Sequence, residues 1–368
     1  MNARHLYIHV PFCARRCTYC DFSIAVRQRT PVGEYLDGLA RELALAGRPA
    51  DLATVYLGGG TPSRLGGEGI ARLAELLGRP RDLVEFTIEA NPDDVTADAV
   101  RAWAEAGVNR VSLGAQSFDS RVLSWMHRSH EAGQIGRAVA VAREGGVANL
   151  SLDLIFALPR SLQRDWGRDL DQALALEPDH ISLYGLTVEA GTPLFRQIAR
   201  GEAASPPDTR YEEEYLLAHE RLAAAGLRFY EVSNAARPGR EAVHNRAYWR
   251  RVPYLGLGPS AHSFDGAGRW WNEPAYAKWI ALLKAGSRPV AGREILADAQ
   301  RDLEQLYLGL RTVEGVELEA PDAAKLSDKL KAWEARGWVR LTPLPSGRLA
   351  VLPSPAGWLR LDELVASI

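Results

Sequence analysis

The chain has 368 residues, enough for one large domain and a small one. Hydrophobic residues make up 46% and charged residues 24%, as in an ordinary globular protein, and 44 basic residues face 46 acidic ones. That near-neutral balance leaves no nucleic-acid footprint, and no apolar run reaches transmembrane length.

The N-terminus enters a strand-like LYIHV almost at once, with no signal peptide in view. Short β-branched or aromatic runs then recur at Leu6–Val10, Thr54–Leu57, Glu85–Glu89, Arg110–Leu113, Asn149–Ile155 and His180–Leu183. Amphipathic stretches separate them: Glu34–Ala46, Ile70–Leu77, Thr96–Ala106, Glu131–Glu144 and Asp165–Leu176. This alternation predicts βαβ units on a parallel sheet, and six such units predict an α/β fold built as a partial (β/α)6 barrel. Ligands of such a barrel bind on loops at the C-terminal strand ends.

Residues able to do chemistry fall at those positions. All three cysteines, Cys13, Cys17 and Cys20, follow the first run with C-x3-C-x2-C spacing. Three thiolates on one loop can ligate three irons of a [4Fe–4S] cubane and leave the fourth open to a small molecule. A zinc site would need a fourth ligand such as His5 or His9, and a Cys17–Cys20 redox pair would leave Cys13 idle. The spacing favours the cluster, and a reducing cytosol suits it. After the second run comes Gly58-Gly59-Gly60-Thr61-Pro62, whose glycines permit close approach of a ligand to the backbone. The third run ends in Glu89-Ala90-Asn91-Pro92, the fourth in Gly114-Ala115-Gln116, and the sixth in Tyr184-Gly185-Leu186-Thr187. Asp153 lies inside the fifth apolar run, where an unpartnered charge is costly to bury.

Beyond the barrel, Thr209–Ala225 is predicted helical and Arg228–Val232 extended. Ser233–Trp271, rich in Gly, Pro, Arg and aromatics, has no clean period and reads as a long functional loop. A helix is expected over Pro274–Ala285, followed by helical stretches at Glu294–Arg311 and Pro321–Arg336. A hairpin of Gly337–Leu341 and Arg348–Leu352 and a last helix at Trp358–Ala366 complete a winged-helix-like pattern. The expected division is a barrel over residues 1–240, a connecting segment over 241–292 and a small C-terminal domain over 293–368. The mixed charge of that last domain favours a docking role over DNA binding.

The words YIHVPFC and GGGTPS, with Tyr19 between the last two cysteines, resemble the signature of radical S-adenosylmethionine (SAM) proteins. Within these the chain is most similar to the oxygen-independent coproporphyrinogen III oxidase-like branch and its HemW family of heme chaperones, over nearly the whole chain. The resemblance implies the barrel with a small C-terminal domain, a [4Fe–4S] cluster, and SAM, which is cleaved to a 5′-deoxyadenosyl radical by the enzymes of the class. It implies Arg128 as partner of the SAM carboxylate. Glu89 and the Gly59–Gly60 backbone, with Thr61 beside them, would serve the amino group, Gln116 and Asp153 the ribose, and Tyr7 and Tyr19 the sulfonium and adenine. Taken singly, Arg128 and Gln116 would read as a surface ion pair and a turn residue; their order along the strand ends argues for a site.

His244-Asn245-Arg246-Ala247-Tyr248-Trp249 resembles a heme-associated word of the same family. It implies His244 as an axial ligand to heme iron, Tyr248 and Trp249 over a porphyrin face, and Arg246, Arg250 and Arg251 on its propionates. His262 is the second choice as ligand, placed by its position nearer SAM. The implied partners are heme and heme-receiving proteins, membrane respiratory enzymes among them, with a homodimer and peripheral membrane contact left open and no nucleic acid. The implied function is a cytoplasmic heme chaperone. Its rivals are a coproporphyrinogen III dehydrogenase of porphyrin biosynthesis and a radical SAM enzyme with an unrelated substrate. Against the dehydrogenase stand Asp21-Phe22 where that enzyme has a fourth cysteine two residues after the motif, and the few residues before Cys13.

Overall fold

A computed structural model describes residues 3–49, 51–80 and 82–366, so the outermost residues of the first and last expected domains lie outside it. The predicted runs are strands: β1 (His5–Val10), β2 (Thr54–Gly59), β3 (Glu85–Ala90), β4 (Arg110–Gln116), β5 (Asn149–Phe156) and β6 (His180–Gly185). They lie side by side in sequence order, all parallel. Leu6, Ile8, Val55, Leu57, Phe86, Ile88, Val111, Leu150, Leu152 and Ile181 are fully buried, as strands covered on both faces require.

The helices that cover the sheet are α1 (Val32–Ala46), α2 (Gly66–Leu76), α3 (Ala97–Glu105), a short α4 (Ser120–Trp125), α5 (Ala132–Glu144) and α6 (Trp166–Leu174). In α1, Tyr35, Leu36, Leu39 and Leu43 recur at helical spacing and face the core. The Tyr35 hydroxyl donates to the His9 carbonyl at 2.8 Å, pinning the helix to the C-terminal end of β1. Thr96, Asp119 and Asp165 cap α3, α4 and α6 by accepting backbone N–H bonds. After β6 come α7 (Pro193–Ala199), α8 (Asp208–Ala224), and the pair β7 (Arg228–Glu231) and β8 (Asn234–Ala236), with β8 antiparallel to β6.

The stretch Ser233–Trp271 is not one long loop. It contains β8, α9 (Val243–Trp249), β9 (Tyr254–Leu257), β10 (His262–Phe264) and most of β11 (Gly268–Asn272). β9 pairs parallel to β1 and extends the barrel by a seventh parallel strand. After α10 (Tyr276–Lys284), β12 (Val290–Ile295) completes a twelve-stranded sheet of order β12-β11-β10-β9-β1-β2-β3-β4-β5-β6-β8-β7. Residues 241–292, expected as a connecting segment, thus supply strands to the barrel's own sheet. The strands are three to five residues long, and β9 contains Gly256 and ends before Gly258, so they carry no periodic signal. A buried carboxylate fastens the addition: Glu42 of α1 accepts from the Gly258 N–H, from Asn272 and from the Trp279 indole.

The C-terminal part comprises α11 (Asp298–Leu310), β13 (Val316–Leu318), α12 (Ala320–Lys325), α13 (Ser327–Ala335), β14 (Val339–Pro343), β15 (Leu349–Pro353), α14 (Pro355–Trp358) and α15 (Leu361–Ala366). β15 lies between β13 and β14 in a three-stranded antiparallel sheet. Leu310, Leu330, Trp333, Val339, Val351, Leu361 and Leu364 form an apolar cluster of their own.

Candidate functional site

The cysteine loop leaves β1 through Phe12, which is fully buried edge-on against Tyr35 and Tyr276, with ring centroids 5.4 and 5.1 Å away. The loop returns at Ala25 and Val26, which pair in parallel with Phe12 and Cys13. Midway, the Thr18 carbonyl accepts the Leu194 N–H at 2.8 Å. The loop is therefore tied at both ends and at its centre, with Cys13, Cys17 and Cys20 half-buried and unpaired. Among the described residues no three His, Cys, Asp or Glu side chains are grouped closely enough to hold a single metal ion. A cubane asks for something else, one thiolate on each of three irons, and three thiols facing one cavity fit it. Burial pushes the Cys13 thiol up, and Cys20 up to about 11, so iron binding would release protons here.

The glycines after β2 serve the protein before any ligand. Gly59 has φ +107°, and a Cβ there would lie 2.6 Å from the His9 ring. At Gly60 a Cβ would sit 2.8 Å from the Pro11 carbonyl carbon. Both let β2 close tightly against the root of the cysteine loop. Thr61 then reaches the Cys13 sulfur, with Oγ1 at 3.4 Å.

The three cysteines open into a cavity of about 320 Å3, which Tyr19, Gly59, Gly60, Thr61, Glu89, Gln116, Arg128 and Asp153 also line. The sequence placed these residues on four different strand ends and on the loop, and the fold brings them together. Arg128 donates to the Asn91 side chain at 2.6 Å, to the Gly114 carbonyl at 2.8 Å and to the Cys17 sulfur at 3.6 Å. Its buried Nε has no hydrogen-bond partner among the described contacts. Glu89 accepts from the Tyr56 hydroxyl at 2.8 Å and from the Gly59 N–H at 3.2 Å. Burial, and then Asp153 nearby, push the Glu89 carboxyl up to about 7. Asp153 is raised by burial too, but Ser182 and Ser112 donate to it and Arg110 lies close. Gln116 ends β4 with φ +65°, a backbone strain that a bulge in the β4–β5 register maintains.

Several supporting residues were not read from sequence: Asn91 as partner of Arg128, Tyr56 as donor to Glu89, and Ser112 and Ser182 under Asp153. Polar residues at matching heights of adjacent buried strands, as Asp153 beside Ser182, were the available signal. The Tyr184–Thr187 turn lines the cavity as its strand-end position implied.

Other residues lie elsewhere. Tyr7 is not on the cluster cavity; its ring stacks on Tyr56 at 6.2 Å and faces a second, adjoining cavity of about 680 Å3. His262 lines that second cavity too, which shares Gly59 and Glu89 with the first. His244, expected as an axial ligand, is 0% exposed and reaches no described cavity. Its Nδ1 bonds Thr54 Oγ1 at 2.7 Å and its Nε2 bonds the Tyr248 hydroxyl at 2.8 Å, which leaves no nitrogen for iron. Burial, with His5 and Arg110 nearby, pushes its pKa down to about 3. The arginines expected on propionates reach the C-terminal part instead: Arg246 and Arg250 pair with Glu314, and Arg251 with Glu304. Arg311 covers the Trp249 ring at 4.5 Å. The HNxxYW helix is thus a clasp between β2 and the C-terminal part. His244→Ala is expected to cost roughly 2–5 kcal/mol of stability by opening a buried void and orphaning Thr54 and Tyr248, read as a lowered Tm.

Strand-end cysteines facing a pocket on a partial parallel barrel are the arrangement of the radical SAM class, and the family model described as "Radical SAM superfamily" matches residues 7–173. The chain is 40% identical over 329 residues to the heme chaperone HemW of Mycobacterium tuberculosis, covering 87% of this chain and 84% of that one. It is 36% identical over 318 residues to heme chaperone HemW of Bacillus subtilis, covering 84% of each. The chain belongs to the HemW family. Among solved structures, coproporphyrinogen III oxidase (HemN) from Escherichia coli is similar in fold, with a TM-score of 0.80 at 22% identity, covering 100% of this chain and 90% of that one.

Proposed function

We propose that this chain is a heme chaperone that carries a [4Fe–4S] cluster on Cys13, Cys17 and Cys20, takes SAM beside it, holds heme and hands it to other proteins. One observation carries the reading: Cys13, Cys17 and Cys20, from a single tethered loop, line the same cavity as Arg128, Glu89, Gln116 and Asp153, in a chain whose relatives include several heme chaperones. A cluster with an open iron supplies single-electron reduction of a sulfonium held there. The protein's share is binding and orientation. Arg128 takes the carboxylate, Glu89 the amino group with Gly59, Gly60 and Thr61 fixing its surroundings, and Gln116 and Asp153 the ribose. Tyr19 closes the pocket over the ligand, and Tyr7 supports it from behind Gly58.

The heme recipients are cytoplasm-facing heme proteins, respiratory enzymes of membranes among them. No helix among the described residues is long and apolar enough to cross a membrane itself. The small C-terminal domain docks rather than reads DNA, a reading supported by the ion pairs of Glu304 and Glu314 to α9 and its flank.

Two measurements test this. Equilibrium titration of the anaerobically reconstituted chain with heme is expected to give a Soret band that saturates near one equivalent; a band that grows without saturation would contradict the proposal. SAM affinity is expected to rise as pH climbs through about 7, where the Glu89 carboxyl ionises. The sign follows from its raised pKa: the neutral acid prevails below it, and the carboxylate that accepts from the amino group prevails above it. Glu89→Gln should flatten that part of the profile.

A further inference from the structure

Strands buried on both faces are ordinarily apolar throughout, yet β5 and β6 set two polar pairs side by side, Ser151 beside His180 and Asp153 beside Ser182. Residues two apart on a strand share a face, so all four point to the same side of the sheet. Ser151 and His180 are fully buried, and Ser182 nearly so. A continuous hydrogen-bonded chain satisfies them. The Tyr230 hydroxyl of β7 accepts the Ala242 N–H at 3.3 Å and meets His180 Nε2 at 2.8 Å. His180 Nδ1 meets Ser151 Oγ at 2.8 Å, and Ser151 Oγ meets Ser182 Oγ at 3.5 Å. Ser182 bonds the Asp153 carboxylate, which lines the cavity of the three cysteines.

The two ends of the chain fix the direction of every bond in it. A backbone N–H can only donate, and an ionised carboxylate can only accept. Burial, and then Arg110, push the His180 pKa well below its ordinary value, so the ring is neutral and carries one N–H. With that proton on Nε2, the Tyr230 hydroxyl would accept from both neighbours, and its own proton would have no acceptor among the described contacts. With the proton on Nδ1 every donor is used. Tyr230 donates to His180, His180 to Ser151, Ser151 to Ser182 and Ser182 to Asp153. Bonds aligned head to tail in this way strengthen one another in a medium of low dielectric. The other groups facing Asp153 are Ser112, which donates at 2.9 Å, and Arg110 and Arg128, which favour its carboxylate. Glu89, Tyr56 and Tyr184 lie near it as well.

We propose that Tyr230 and His180 are positioning residues for SAM, which through Ser151 and Ser182 hold Asp153 as a fixed acceptor for the ribose hydroxyls. The assignment rests on the SAM reading of the first cavity but can fail separately from it. The reconstituted full-length protein and its variants are titrated with SAM at equilibrium. Tyr230→Phe keeps the ring and removes only the hydroxyl. It is expected to keep its cluster absorbance and to bind SAM about three- to tenfold more weakly, as loss of one hydrogen bond implies. A double-mutant cycle with Asp153→Asn separates positioning from a general loosening of the fold. In the Asp153→Asn background, Tyr230→Phe should cost no further affinity. Losses that add overturn the assignment, as does a Tyr230→Phe protein with wild-type affinity. Heteronuclear NMR of wild-type protein with labelled histidine reads the tautomer without any ligand, the His180 signal being the one that His180→Gln removes. The Nδ1–H form is expected, and the Nε2–H form overturns the assignment. Wild-type protein that binds no SAM with its cluster intact overturns the SAM reading together with it.

Discussion

Alanine at Cys13, Cys17 or Cys20 is expected to remove most of the iron–sulfur absorbance of protein purified without oxygen. Each thiolate would hold a separate iron, so none can replace another, and the chain has no further cysteine to recruit. The fold should survive. The loop is tethered by Phe12, by the Ala25 and Val26 pairing and by the Thr18–Leu194 bond, none of which uses a cysteine sulfur. Circular dichroism should therefore be unchanged while visible absorbance and labile sulfide fall together. Stoichiometric zinc without labile sulfide in the wild-type protein would refute the cluster assignment.

Arg128→Ala is expected to weaken SAM binding by about tenfold or more, as loss of a charge-assisted hydrogen bond of roughly 1.5–3 kcal/mol implies. The guanidinium already spends Nη1 and Nη2 on Cys17, Asn91 and Gly114, which hold it rigidly on the cavity wall. Arg128→Lys would keep the charge but lose the fork that holds it in place, and should recover only part of the affinity. Isothermal titration on protein with its cluster intact is the check. Unchanged affinity would make Arg128 a structural bracket for the Cys17 side of the loop.

The barrel was legible because six buried strands and their amphipathic helices carry strong local periods, and the site because ligand residues of such barrels gather at strand ends. Asp153 could be singled out from one fact, a charge inside an apolar run, and its partners Ser112 and Ser182 follow from the same cost of burial. What escaped depends on pairings distant in sequence. His244 looks like a free loop imidazole until β2 supplies Thr54, 190 residues away. Arg246 and Arg251 look like anion partners until α11 and the turn after it bring Glu304 and Glu314. Gly59 and Gly60 do line the cavity, and their missing Cβ atoms also make room for His9 and Pro11. The strands β9 to β11 were missed because short, glycine-broken segments join a sheet through tertiary packing rather than through their own pattern.

The central claim is that the cluster and SAM pocket serve a protein that binds heme rather than one that makes it. The most direct measurement incubates the reconstituted, reduced protein with SAM and coproporphyrinogen III under anaerobic conditions and analyses porphyrins and nucleosides together. The account predicts that the porphyrinogen is recovered with its propionates intact, while the same preparation binds heme saturably. Robust formation of protoporphyrinogen IX, with matching amounts of methionine and 5′-deoxyadenosine, would contradict it.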